Sequence, residues 1–66
     1  MKKMLLKDWY IRPVNGGMVV VGYIFNDEKG RFEDGTLIHT SLVVYADFEY
    51  RVIKTLNSTY HLGLPK

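Results

Sequence analysis

The chain opens on an alternation of period two, in which Leu5, Lys7, Trp9 and Ile11 interleave with Leu6, Asp8, Tyr10 and Arg12. That spacing predicts a β-strand with one aromatic face turned inward. Pro13 is expected to end it, and Asn15, Gly16 and Gly17 supply the backbone freedom of a tight hairpin. Residues 18–25 form the most apolar run, and Gly22 within it marks a bulge, a barrel corner or a close backbone approach. Residues 26–30 read as a surface loop, residues 31–33 as a brief pairing, and Asp34 with Gly35 as a turn. Strands are expected at residues 36–40 and 42–45, with Thr40 and Ser41 as a bulge or bend between them. Ala46 and Asp47 turn the chain, residues 50–56 read as a strand, Asn57 and Ser58 as a turn, and residues 59–62 as the last strand. No window carries a capped apolar period of 3.6, so helix is limited to an early turn at residues 2–7.

Five or six short strands separated by turn residues predict an all-β fold, a small and strongly bent antiparallel barrel or sheet of SH3-like or OB-like size. At 66 residues the chain is read as a single small β domain, 1–66. A hydrophobic fraction of 47% separates it from disordered chains. In so small a domain burial roughly offsets the entropy of ordering the chain. Disulfides are excluded by the absence of cysteine, and two histidines separated by 21 residues make a poor metal set. No cofactor is expected. Self-association is then the expected support, and pairing of exposed sheet edges would provide it, so the chain is expected to form a homodimer. Nothing reads as a membrane span, and residues 1–8 lose their apolar run too soon for a signal peptide, which points to the cytoplasm.

The candidate chemistry is thin. Asp34, His39 and Ser41 are the residue types of a hydrolase triad, but no nucleophile elbow or oxyanion hole accompanies them. Asp34 reads more simply as a turn residue whose carboxylate bonds the following amides, and Thr40 and Ser41 as hydroxyls serving the backbone at a bend. Asp27, Glu28, Glu33 and Asp34 offer clustered oxygens for a hard cation, without the spacing of an EF-hand. The chain is accordingly expected not to be an enzyme.

Two binding readings stay open. Trp9, Tyr10, Tyr23, Phe25, Phe32, Tyr45, Phe48, Tyr50 and Tyr60, with Lys7, Arg12, Arg31, Arg51 and Lys54, suit stacking of nucleic-acid bases beside phosphate contacts. Against that, the core must draw on the same aromatics, with Trp9, Phe25 and Tyr45 at expected inward positions. A net charge of only +2, with acids interleaved, also dilutes any attraction for phosphate. The other reading is a protein-interaction module, with its contact on Tyr10, Arg12, Arg31, Phe32 and Asp34 and on the loop of residues 26–34, because Trp, Tyr and Arg are the favoured interface anchors.

Gly22 in its apolar run, the series Arg31, Phe32, Asp34, Gly35, Thr36, Ile38, Thr40 and Ser41, and then Val52, Lys54, Thr55, Asn57, Ser58, Tyr60, Leu62 and Gly63 carry a resemblance. The pattern resembles small uncharacterised phage and prophage proteins, and is similar in kind to compact homodimeric inhibitors of bacterial defence systems, of the type that antagonises the Hachiman helicase-nuclease system. The resemblance implies a phage-encoded inhibitor that acts in the host cytoplasm by occupying a larger bacterial protein. The first dozen residues lie outside the pattern.

Overall fold

The opening alternation does form a strand, but a bulge breaks it and reverses which residues face outward. The computed structural model describes residues 3–66. Among the described residues six strands form, β1 Leu5–Val14, β2 Gly17–Phe25, β3 Thr36–His39, β4 Tyr45–Asp47, β5 Val52–Lys54 and β6 Thr59–Leu62. They make one sheet in the order β3-β2-β1-β6-β5-β4. All neighbours are antiparallel except β1 and β6, which run parallel, so the sheet is mixed rather than wholly antiparallel. Among the described residues it is all-β, and no ladder joins β3 to β4 to close it into a barrel. No helix among the described residues is long and apolar enough to cross a membrane.

Opposite Gly22, β1 carries one residue too many. Lys7 pairs with Tyr23 and Tyr10 with Val21, which leaves Asp8 and Trp9 facing Gly22 alone. Asp8 takes a left-handed φ of 51° to absorb the extra residue. A Cβ on Gly22 would stand 3.1 Å from Trp9 Cβ and 3.2 Å from the Lys7 carbonyl oxygen, so glycine is what lets the bulge close against β2. Before the bulge Leu6 points inward and Lys7 outward. Beyond it Tyr10 and Arg12 share the outward face with Val21 and Val19, their partners in β2.

Leu6, Val20, Ile24, Ile38, Ile53, Tyr60 and Leu62 meet on the inner face with Met4 to form the core. Trp9 covers its side, donating from Nε1 to the Gly63 carbonyl at 2.8 Å and stacking on Phe48 at 6.1 Å between ring centres. Residues 63–66 continue alongside β1, with Asp8 N–H donating to Leu64 O and Lys66 N–H to Trp9 O. The segment after β3 ties the two ends of the sheet together. Thr40 and Val43 donate to Val20 and Met18 of β2, and Val44 then donates to Lys54 of β5. At the bend the buried Thr40 hydroxyl accepts the Val20 N–H at 3.1 Å and donates to Ser41 O, so a side chain completes the ladder where the backbone turns away.

Several boundaries differ from the sequence reading. β1 runs on through Pro13, which faces Met18 beyond the last β6 contact, where its missing N–H leaves no neighbour unserved. Residues 31–33 and 42–44 are not strand, and β4 takes Ala46 and Asp47 instead of turning there. Asp47 ends β4 and also accepts the Glu49 and Tyr50 amides, so the turn follows it and β5 is confined to Val52–Lys54. The helical turn expected at residues 2–7 does not form in its described part, where Leu5 to Lys7 are β1, and Lys2 lies outside the described residues. Phe25 and Tyr45, expected inward, lie on the outward face, Phe25 half-buried and Tyr45 exposed.

Candidate interaction face

The register assigns outward positions across the whole sheet. Leu37 and His39 of β3 lie beside Tyr23 and Val21 of β2, and these beside Lys7 and Tyr10 of β1. His61 lies beside Leu5, while Lys54 and Tyr45 face the same way at the far side. Among these, Tyr10 is 42%, Tyr23 39% and Leu37 57% exposed. Together with Asp8 and Lys66 they line a shallow depression of about 230 Å³.

Cations stand over the rings of this face. Lys66 Nζ lies 5.2 Å from the centre of Tyr10, Lys7 Nζ 4.8 Å from Phe25 and Lys54 Nζ 5.6 Å from Tyr45. Each arrangement pairs a positive charge with a ring's electron-rich side. Burial, and then the charge of Lys3, pushes His61 below the usual histidine pKa, so it adds no charge at neutral pH.

The acids are placed differently. Residues 26–35 join β2 to β3, and within them Asp27 is turned into its own loop with its side chain 0% exposed. Its two oxygens accept the amides of Lys29, Arg31 and Phe32 and the Arg31 side chain, the closest bond being 2.7 Å to the Arg31 amide. Burial works upward on the Asp27 pKa, but the Arg31 side chain and the three amides outweigh it and hold the carboxyl below its ordinary value. Asp27 in turn, with Tyr60 next in effect, holds Arg31 above the usual guanidinium value. Lys29 reaches across to Asn57 O at 2.9 Å and Ser58 Oγ at 3.2 Å, which pins the loop to the turn between β5 and β6.

The five residues singled out for partner contact therefore fall into two groups. Tyr10 and Arg12 share the outward face of β1. Arg31 and Phe32 sit together in the β2–β3 loop, with the guanidinium 5.3 Å from the ring centre. Asp34 lies at the end of that loop, where Oδ1 accepts the Asn26 amide at 2.8 Å, so its carboxylate reaches back across the loop rather than to the amides that follow it. The loop begins where Phe25 pairs with Leu5, and Tyr10 and Arg12 lie roughly 13 to 20 Å further along β1 at about 3.3 Å per residue.

Asp34, His39 and Ser41 share no hydrogen bond, and among the described residues no three acidic or histidine groups gather to hold a metal ion. Tyr23, expected only among base-stacking rings, and Leu37 lie outside the expected protein-contact set. The signal for them was the register, which pairs them directly across β2 and β3. Comparisons with protein-family models, with curated proteins and with solved structures return no match.

Proposed function

We propose that this chain is a non-enzymatic protein-interaction module that works as a homodimer and docks the outward face of β1, β2 and β3 on a larger protein. The observation that carries the reading is the exposure of Tyr10, Tyr23 and Leu37 side by side, flanked by Arg12 and Lys66. Rigid aromatic anchors beside arginine are the composition of an interface centre, and the cations select a partner surface rich in carboxylates. The resemblance to phage anti-defence inhibitors implies, as that partner, a bacterial defence protein met in the host cytoplasm. A small sheet needs no chemistry of its own to block such an enzyme by occupying its surface.

A second reading, nucleic-acid binding, draws on the three lysine-ring pairs of the same outward face. One experiment separates the two. Tagged wild-type chain and the Tyr10→Ala/Tyr23→Ala variant are each passed through nuclease-treated bacterial lysate and washed at moderately high salt. The protein reading expects a defined protein on the wild type and about a tenfold loss on the variant, with unchanged circular dichroism showing the variant folded. Equal retention on both would reject this face. Binding that disappears with nuclease and salt would favour the phosphate backbone, whose grip falls steeply with ionic strength.

A further inference from the structure

The free edge of β3 is built to pair with itself. Thr40 N–H donates to Val20 O and the Thr40 hydroxyl accepts the Val20 N–H, which fixes the even-numbered residues of this segment as those bonded to β2. Alternation then turns the N–H and C=O groups of Leu37 and His39 away from β2, and β3 ends the sheet with no strand on that side among the described residues. Nothing guards this edge in the usual ways: residues 36–41 contain no Asp, Glu, Lys, Arg or Pro.

We infer that two copies join through antiparallel pairing of their β3 strands about a two-fold axis at Ile38, with Leu37 facing the partner's His39. The inference rests on the homodimer proposed above and specifies its interface. Only this register uses the outward groups of Leu37 and His39 in full, as two hydrogen-bonded pairs related by the axis. A slip toward the loop would need Gly35, whose N–H is already bonded to Ile24 O. A slip the other way would need Ser41, which lies past the end of β3 at a bend in the chain. An isologous strand pair also brings each charge near its own copy, and a segment free of charged residues avoids that repulsion.

β4, the opposite edge, is a poorer candidate, being three residues long and ending in Asp47. The pairing sets Ile38 against the partner's Ile38 on the inner face. On the outward face it makes the Tyr23 and Leu37 surfaces of the two copies continuous, so the docking face is doubled. Pairing through two residues a side buries less than a standard interface, which places the dissociation constant high and makes the dimer concentration-dependent.

The test is sedimentation of the full chain from about 10 μM to about 1 mM, for wild type and Leu37→Lys. The expected result is a wild-type dimer that dissociates on dilution and a folded Leu37→Lys chain whose association is weaker by about tenfold or more. The register is read separately by oxidising an equimolar mixture of Leu37→Cys and His39→Cys, in a chain that has no cysteine of its own. Facing positions lie about 5.5 Å apart between Cα atoms, within disulfide reach, so the mixed disulfide is expected to dominate. Two Leu37→Cys chains would hold their Cα atoms about 8 Å or more apart, beyond that reach.

A dimer that survives Leu37→Lys unchanged, or that yields no preference for the mixed disulfide, overturns the β3 register and leaves the homodimer standing. A wild-type monomer at every concentration overturns both.

Discussion

The β2–β3 loop and the outward face of β1, β2 and β3 handle their side chains in opposite ways. In the loop, Asp27 and Asp34 are turned onto backbone amides, Lys29 is bonded to the neighbouring turn, and Thr36 donates to Glu33 O. On the face, Tyr10, Tyr23 and Leu37 are exposed and the cations stand over rings rather than against carboxylates. The loop holds its shape by saturating its own polar groups. A sheet face already fixed by its ladder needs no such bonds, and its side chains stay available to a partner. The two loop aspartates therefore serve the backbone, while the open surface carries rings, aliphatic groups and cations.

The separation of face from loop depends most on Gly22, because the bulge it admits is what turns Tyr10 and Arg12 outward. Gly22→Val would drive a branched side chain into Trp9 and the Lys7 carbonyl, contacts already at 3.1 and 3.2 Å for a bare Cβ. Overpacking against a backbone that cannot retreat is expected to cost about 3 kcal/mol. Urea denaturation measures that loss, with Gly35→Val as the control, since a Cβ on Gly35 meets nothing within 4 Å and only its φ of +86° opposes substitution. A Gly22→Val loss of less than about 1 kcal/mol would mean that the packing of the bulge is not what requires glycine.

That bulge also shows what the sequence could and could not express. Gly22 signalled it from the partner strand, but nothing in Asp8 or Trp9 marks the residue that is displaced, and an unbroken alternation reads straight through it. Hairpin chemistry is local, so the turn at Asn15 and Gly16 and the last strand at Thr59–Leu62 were legible. The parallel pairing of β1 with β6 joins residues more than fifty positions apart and leaves no local trace. Asp47 was misread because a carboxylate that caps a turn can belong to the strand before it. At the site, Tyr10 and Arg12 share a face by simple alternation. The commitment of Arg31 to Asp27 and the pairing of Tyr23 with Leu37 depend on loop closure and register.

Acid acts on the loop through Asp27. Asp27 titrates below its ordinary value, so its stabilising effect is complete above about pH 4 and is lost as pH falls through the lowered folded-state pKa. Amide hydrogen exchange at Arg31 and Phe32, both bonded to Asp27, is expected to lose protection on acidification relative to core amides such as Ile24. Asp27→Ala removes the acceptor at every pH, at an expected cost of about 1–2 kcal/mol, and abolishes the acid dependence. Protection at these two amides that stayed constant down to pH 2 would mean the loop is held by something other than the carboxylate.

The smallest effect expected is at Arg51, in the turn between β4 and β5. Its φ of 57° is left-handed, and its carbonyl is held there by the Leu62 N–H at 2.8 Å. A non-glycine residue in that region costs about 1–2 kcal/mol, of which glycine would recover most. Against this, glycine loses about 0.5–1 kcal/mol more conformational entropy on folding. The balance favours Arg51→Gly by about 0.5 kcal/mol, a rise of roughly 2–4 °C in Tm for a domain of this size. Arg51→Ala keeps the strain and removes the same charge, so it should show no rise. Glycine that gained nothing over alanine would mean the turn bears no backbone strain. The gain, if found, should leave partner capture unchanged, because a turn that meets its own bonding needs can be relaxed without moving the face.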